Sequence, residues 1–233
     1  MKLFVGEIFP EVKINDEEQQ HIVKVLRMRE GEEVSVTDGK GNFAKGKLVF
    51  EGKKVSLNAS EIKENLPDFS TQLHIAMAPT KNIDRTEFFV EKATELGISE
   101  ITFLLTDKSE RKNLNIERIQ KQAVAASKQS LRFHFPKINN LTKLSDFIKN
   151  MDVESTFLAH CDESFERTDL KEIVVNQKNQ KITVLIGPEG DFSPNEIKML
   201  SEKGIKAVSL GNQRLRTETA GIFVAAWNYE KMI

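Results

Sequence analysis

The chain has 233 residues, which is enough for one large domain or two small ones with a sizeable hydrophobic core. Charged residues make up 30% of it, but 34 Lys and Arg against 35 Asp and Glu leave a net charge of −1 and exclude a uniformly basic nucleic-acid coat protein. A single cysteine excludes an intrachain disulfide and a thiolate zinc site. No apolar run approaches membrane-spanning length, so we expect a cytoplasmic protein that is not bound to a membrane.

Short β-prone runs separated by glycine turns make up most of the first 68 residues. These runs cover residues 4–5, 33–36, 45–50 and 54–57. A short helix is predicted over residues 21–28, with Ile22, Val25 and Leu26 on one apolar face. The pattern predicts a small β-barrel. The polar, proline-containing segment 64–68 reads as a linker, which divides the chain into domains 1–68 and 69–233.

From residue 73 onward, strand patterns alternate with helix patterns, which is typical of a parallel α/β sheet. Strands are predicted at 73–78, 101–105 and 156–159. A first helix is capped by Asp84, and further helices are predicted over 115–131 and 219–232. Phe88 is expected to face inward from the first helix, which Gly97 should end.

Two glycine-rich loops near the end of the chain each follow a short apolar strand pattern, at residues 182–186 and 207–210. Ser193, Pro194 and Glu196 are typical of a helix start, and Gly204 of a helix end. The segment therefore predicts a strand–helix–strand unit of two adjacent parallel strands. Loops at the carboxyl ends of such strands form a crevice in which backbone groups can hold a ligand.

The two loops, with sequences LIGPEGDFS and LGNQRLRTETA, resemble those of the ribosomal small-subunit RNA methyltransferase E family of the SPOUT superfamily. Further similar segments are residues 94–97, 109–111, 126–132 with Pro136, and His21 with 25–27. Asp191 stands where many relatives have a second glycine, and Gln213 where many have arginine. The resemblance implies a PUA-like RNA-binding β-barrel followed by a parallel-sheet SPOUT domain with a trefoil knot.

The activity that this resemblance implies is S-adenosylmethionine-dependent methylation of N3 of a uridine in 16S rRNA, a step of rRNA processing in ribosome biogenesis. The cofactor is expected to contact residues of both loops, namely Leu185, Ile186, Gly187, Pro188, Glu189, Gly190, Leu210, Gly211, Leu215 and Thr217. Glycines that take positive φ would let the backbone approach adenine closely, and leucine and isoleucine would form apolar walls. Glu189 has two readings, a ribose contact or a brace of its own loop.

Uracil N3 must lose a proton that it barely loses at neutral pH, so the enzyme needs a base or cations that stabilise the uracil anion. Arg216 and Arg132 suit the cationic role, since a guanidinium keeps its charge and binds carbonyl oxygens through a fork. Glu218 is the candidate base. An equally plausible role for Glu218 is to stabilise the start of the last helix through the helix dipole.

Seven basic residues against three acidic ones occupy the stretch from Asp107 to Arg132. Such a run is more often a solvated helix face, but beside the two loops we favour contact with RNA phosphates. The candidate RNA-binding residues are Arg27, Lys108, Arg111, Lys121 and Lys128.

His160 beside Cys161 invites a metal hypothesis, but the other histidines are distant in sequence, so we expect a structural role and no metal. The last helix, predicted over 219–232, is unusually apolar. Either it only covers the sheet or, as the family resemblance favours, it forms a homodimer interface that buries Phe223, Trp227 and Met232. The expected partners are therefore 16S rRNA or the small ribosomal subunit and a second copy of the chain. Alternatives are a SPOUT enzyme that methylates another base or a ribose hydroxyl, and a catalytically idle RNA-binding assembly factor. A nucleotide-binding dehydrogenase is disfavoured, because the chain has no Gly-x-Gly-x-x-Gly motif.

Overall fold

A computed structural model describes residues 2–52, 54–68, 72–173 and 181–231. The chain divides into two compact units, Met1–Phe69 with Val124–Phe135, and Ser70–Ala123 with Pro136–Ile233. The first unit thus includes a segment that lies far along the chain from its barrel, in the second of the two domains expected from the sequence.

A curled five-stranded sheet forms the first unit. Its strands are β1 Leu3–Glu7, β2 Lys13–Ile14, β3 Glu33–Thr37, β4 Phe43–Glu51 and β5 Lys54–Lys63. They are ordered β2-β1-β3-β4-β5, and the two edge strands approach each other, so the sheet is nearly closed. Its interior is apolar and includes Phe4, Val36 and Leu48. The predicted small barrel is confirmed.

The helix of the first unit differs from its prediction. It begins earlier, as α1 Asp16–Gln20, and continues as a π-helical turn, His21–Val25, in which Leu26 N donates to His21 O at 2.9 Å. Ile22 is buried, but Val25 and Leu26 are 66% and 40% exposed, so the predicted common apolar face is wrong. The wider π turn changes the angular spacing of the side chains and turns these two residues toward solvent.

Residues 128–135 pack on the barrel within the first unit. Gly41 N donates to Phe133 O at 2.8 Å, and Phe135 N donates to Gly39 O at 2.9 Å. The ring of Phe133 meets Phe43 edge-on at a centroid distance of 5.0 Å. This segment overlaps the motif Ala126 to Arg132 and is part of the first unit.

A seven-stranded parallel sheet forms the second unit. Its strands are β6 Leu73–Met77, β7 Glu100–Leu105, β8 Lys137–Lys143, β9 Thr156–Ala159, β10 Thr168–Asp169, β11 Ile182–Ile186 and β12 Lys206–Ser209. The helices are α2 Ile83–Glu95, α3 Ile116–Gln129, which ends in the first unit, α4 Leu144–Phe147, α5 Pro194–Glu202 and α6 Thr217–Glu230, with a 3₁₀ turn at Leu170–Glu172. Separate apolar clusters cover the two faces of the sheet, as expected for parallel strands. The predicted α/β fold is confirmed.

The strand order, β10-β12-β9-β11-β6-β7-β8, corrects one sequence-based prediction. Strands β11 and β12 were expected to be adjacent, but β9 lies between them and pairs with both. The hydrophobic pattern of a strand indicates that the strand is buried, but it does not indicate which other strands pair with it.

The cap of helix α2 lies two residues before the predicted one, because the side chain of Asn82, and not that of Asp84, caps the helix by accepting from Asp84 N at 3.0 Å. Phe88 is 50% exposed, so its predicted inward position is wrong, and Phe89 takes the buried position instead. Gly97 does end the helix, with a φ of +85°. The capping box at Ser193 and Glu196 is also confirmed.

A buried polar network lies toward the amino ends of the central strands. His74 of β6 is 5% exposed, and its Nε2 lies 2.8 Å from Thr102 Oγ1 of β7. Asn139 of β8 donates to the same hydroxyl at 2.8 Å. Burial lowers the pKa of His74 to about 4, so the ring is neutral at pH 7.

Glu100 connects this network to solvent. Burial opposes ionisation of Glu100, but hydrogen bonds from Lys181, Asn139 and Lys137 lower its pKa to about 2. The stability that Glu100 contributes is therefore lost only below pH 4.5, as the pH falls toward 2.

Replacement of His74 with Gln tests the role of this buried ring. In the wild type the unfolded chain takes up a proton on His74 below pH 6.5, whereas the folded protein resists protonation until about pH 4. The free energy of unfolding should therefore fall by about 2 kcal/mol from pH 6.5 to 4.5 through this residue alone. Urea unfolding across that range should show a smaller pH slope in His74→Gln than in the wild type. Equal slopes for wild type and His74→Gln would contradict this assignment.

Candidate functional site

A cavity of about 410 Å³ opens at the carboxyl edge of the sheet in the second unit. Three loops that follow β9, β11 and β12 line it, since these three strands are consecutive neighbours in the sheet and end at the same edge. The lining residues are 159–161, 167, 186–191, 209–211, 213–217 and 220. Both predicted glycine loops therefore contribute to one site.

The loop after β11 is a tight turn in which Asp191 N donates to Pro188 O at 2.9 Å. A Cβ atom at Gly187 would lie 2.9 Å from Phe192 N, so this position accepts only glycine without a backbone shift. Positive φ was expected to matter at Gly187, Gly190 and Gly211, but of these three only Gly211 adopts it, at +119°. In the first loop the positive φ belongs to Asp191, at +61°.

Several polar contacts hold the first loop in place. Lys108 Nζ donates to Gly190 O at 2.9 Å and to Phe192 O at 3.1 Å. Glu189 accepts from Lys81 N at 2.9 Å, which favours its reading as a brace. Thr217 Oγ1 donates to Gly187 O at 3.1 Å and so links the start of α6 to the first loop.

The segment after β9 forms a wall of the cavity that sequence reasoning did not assign. Cys161 N donates to Asp191 Oδ2 at 2.7 Å, and Arg167 Nη1 donates to His160 O at 2.9 Å. Burial lowers the pKa of His160, against the opposing effect of Asp191, so the ring is neutral at pH 7. The sequence does predict that a strand ends at residue 159, so a loop was expected after it. That this loop lines the cavity follows only from the position of β9 between β11 and β12.

Nine of the ten predicted cofactor residues line the cavity, and Leu185 does not. Leu185 is fully buried on the face that packs against α5, with Ile197 and Leu200. Its neighbour Ile186 lines the cavity, because successive side chains of a strand point to opposite faces of the sheet.

The three predicted catalytic residues occupy different environments. Arg216 is exposed and lines the cavity. Glu218 does not line it; this residue is 7% exposed and its carboxylate lies 3.7 Å from Arg85 Nε of α2. Arg132 belongs to the first unit, where burial lowers its pKa against the opposing effect of Asp68.

The predicted RNA-binding residues divide between the two units. In the second unit Lys108 braces the first loop, Arg111 donates to Thr80 O at 3.0 Å and to Lys81 O, and Lys121 is exposed on α3. In the first unit Arg27 is exposed with a φ of +49°. Lys128, also in the first unit, pairs with the buried carboxylate of Glu18.

Within the described ranges, no cluster of three or more His, Cys, Asp or Glu side chains could hold a metal ion. No described helix combines the length and the hydropathy that a membrane span requires.

Two family models match the chain. The model of an RNA methyltransferase PUA domain matches residues 14–55, and the model of an RNA methyltransferase domain matches residues 67–228. The second match covers most of the chain, including all three loops of the cavity. Fold and site thus define an RNA methyltransferase with an accessory PUA domain.

Individual proteins narrow this class. The ribosomal RNA small subunit methyltransferase E of Mesomycoplasma hyopneumoniae is 31% identical over 186 residues, which are 76% of this chain and 77% of that protein. A probable rRNA methyltransferase from Porphyromonas gingivalis has a similar structure, with a TM-score of 0.87 and 33% identity over 97% of this chain and 96% of its own. A methyltransferase from Legionella pneumophila, solved with its bound cofactor SAM, has a TM-score of 0.85 and 25% identity over 99% of this chain and 96% of its own. The chain belongs to the family of ribosomal RNA small subunit methyltransferases E.

Proposed function

We propose that this protein transfers the methyl group of S-adenosylmethionine to N3 of a uridine in 16S rRNA. The observation that carries the proposal is the cavity that the loops after β9, β11 and β12 form together, in a chain of the methyltransferase E family. The Legionella pneumophila relative, similar over almost the whole chain, holds the same cofactor.

The residues of the cavity fit S-adenosylmethionine. The volume of the cavity, about 410 Å³, lies within the range of about 300 to 1,000 Å³ that small-molecule sites occupy. Ile186, Leu210 and Leu215 offer apolar surface to a flat base. A Cβ atom at Gly211 would meet nothing within 4 Å, so the space beside this backbone is open to a ligand.

The bound cofactor supplies an electrophilic methyl group, and the protein has to position uridine and stabilise the charge that forms when N3 loses its proton. Arg216 is the residue that we assign to the second task, because its guanidinium is at the cavity and keeps its charge. Glu218 is a weaker candidate for the base. Its carboxylate faces Arg85 and is buried at the start of α6, which favours the helix-stabilising role. Arg132 remains a predicted second cation.

Replacement of Gly211 with Val tests the cofactor site and the activity together. A φ of +119° is strained for valine, and a side chain at this position would occupy the open space at the cavity wall. Calorimetry should detect S-adenosylmethionine binding to the wild type and none to Gly211→Val.

The matching cellular measurement is a base-resolved map of rRNA methylation in a strain that lacks the gene. One uridine-N3 methyl group of 16S rRNA should disappear, return with the wild-type gene and stay absent with Gly211→Val. A complete methylation map in the deletion strain, or normal binding by a folded Gly211→Val protein, would refute the proposal.

RNA is proposed to contact the basic stretch between Lys108 and Arg132 and the PUA domain, with Arg27, Lys108, Arg111, Lys121 and Lys128 as its candidate contacts. Lys112 and Lys121 are the sharpest tests, because both are exposed. Their replacement also leaves intact Lys108, which braces the first loop.

Binding of a 16S rRNA fragment should weaken with salt, since phosphate contacts release counterions. Each of Lys112→Ala and Lys121→Ala should lower the slope of log affinity against log salt by about 0.7 to 0.9. Gln120→Ala, at an exposed neutral position of α3, serves as the control. If both lysine variants retain the wild-type slope, this stretch is a solvated surface.

We also propose that α6 forms a symmetric homodimer in which each active site uses residues of both chains. Phe223 and Tyr229 of α6 are 38% and 41% exposed, and Phe88 of the neighbouring α2 is 50% exposed. The predicted exposure of Trp227 is wrong, because this residue is only 8% exposed and packs within its own chain. Another, Met232, lies outside the described residues.

Phe223→Asp should convert the dimer to a monomer with little activity, because a buried unpaired carboxylate cannot be accommodated in a two-fold apolar contact. Phe223→Leu keeps the position apolar and should stay dimeric. Light scattering combined with a methyl-transfer assay distinguishes the outcomes. A fully active monomer would contradict the shared active site.

A further inference from the structure

One peptide unit, between His160 and Cys161, is held from both ends by charged side chains. Its carbonyl oxygen accepts from Arg167 Nη1 at 2.9 Å, and its N–H donates to Asp191 Oδ2 at 2.7 Å. Both charged residues line the cavity. A guanidinium at the oxygen and a carboxylate at the N–H polarise the peptide in the same direction, so each hydrogen bond strengthens the other.

Asp191 adopts a backbone conformation that is uncommon for a residue with a side chain, with a φ of +61°. Its other carboxylate oxygen, Oδ1, accepts from Phe192 N at 2.8 Å. One carboxylate therefore binds two backbone N–H groups, one in the loop after β9 and one in the loop after β11. The strain at Asp191 is the cost of aiming its carboxylate at both loops.

The segment after β9 is further fixed by its own residues. Asp162 N donates to His160 Nδ1 at 3.2 Å. His160 is 5% exposed, and its ring meets that of Phe165 edge-on. The segment after β9 and the first loop form two walls of the cavity, and the hydrogen bond from Cys161 N to Asp191 directly links them.

We propose that Asp191 is a positioning residue that sets the separation of these two cavity walls, with Arg167 acting on the same peptide from the opposite side. The inference rests on the proposed function, since it concerns how tightly S-adenosylmethionine binds. Its carboxylate provides a fixed link between the two loops.

The single cysteine of the chain makes this tie directly observable. Protein labelled with ¹⁵N only in cysteine gives one backbone amide signal, that of Cys161. In the wild type this amide proton should resonate downfield and exchange slowly with solvent, because it donates to a carboxylate. In Asp191→Asn and Asp191→Gly it should move upfield and exchange faster. Asp162→Asn removes a neighbouring carboxylate that accepts from Ser164 and not from Cys161 N, so the signal should keep its wild-type exchange rate.

Calorimetry with S-adenosylmethionine measures the consequence for the site. Loss of a charge-assisted hydrogen bond that fixes a cavity wall should weaken binding by about 10-fold to 100-fold in both Asp191 variants, and leave Asp162→Asn unchanged. Asp191→Gly also relieves the backbone strain at this position. Weak cofactor binding by this variant would therefore be due to the lost hydrogen bond and not to the strain. Arg167→Met combined with Asp191→Asn should weaken binding by less than the product of the single effects, since both act on one peptide.

The inference is overturned if the Cys161 signal is unchanged in the Asp191 variants, or if these variants bind the cofactor within about twofold of the wild type. It is also overturned if the effects of Arg167→Met and Asp191→Asn simply multiply. Failure of the wild-type protein to bind S-adenosylmethionine would instead refute the proposed function, and the amide measurement would still report whether the tie exists.

Discussion

The position of β9 between β11 and β12 is the constraint on which the site depends. Parallel strands that are neighbours in a sheet deliver their following loops to the same edge, so this order brings three loops to one cavity. The chain leaves β11, forms α5 and returns on the far side of β9 as β12. If β11 and β12 were direct neighbours, the segment of His160 and Cys161 would lie outside the cavity, and the tie to Asp191 could not form.

The backbone of these loops is polar and only partly paired within regular structure, so side chains supply the missing partners. Lys108 binds two carbonyl oxygens of the first loop, and Asp191 binds two N–H groups. Charged groups suit this task, because one side chain satisfies two backbone atoms with strong hydrogen bonds. Basic residues that a sequence pattern assigns to RNA can thus serve the cofactor loop as well, and a loop held in advance loses less entropy when a ligand binds.

Local sequence signals predicted the elements that depend on local physics. The capping box at Ser193 and Glu196 places a helix start by hydrogen bonds three residues apart. The predicted strand at 182–186 coincides with β11, Ile182–Ile186, because four of its five residues are apolar, as is typical of a strand that is buried on both faces. Errors arose where the local pattern left the orientation of a side chain open. The π turn after Gln20 exposed Val25, and of the adjacent residues Phe88 and Phe89 in α2 it is Phe89 that is buried.

The sequence by itself determined the α/β organisation, the barrel at the start and the two glycine loops. These follow from turn chemistry and from hydrophobic period, which residues close in sequence determine. The family resemblance of the two loops pointed to ten of the residues that line the cavity, namely nine cofactor contacts and Arg216. Only the tertiary structure decided the strand order and the cavity wall at His160 and Cys161. It also decided that Glu218 and Trp227 are buried and that residues 124–135 belong to the first unit. Each of these depends on pairings between residues distant in the chain, such as Cys161 with Asp191, and a buried strand has the same apolar pattern whichever neighbours it takes.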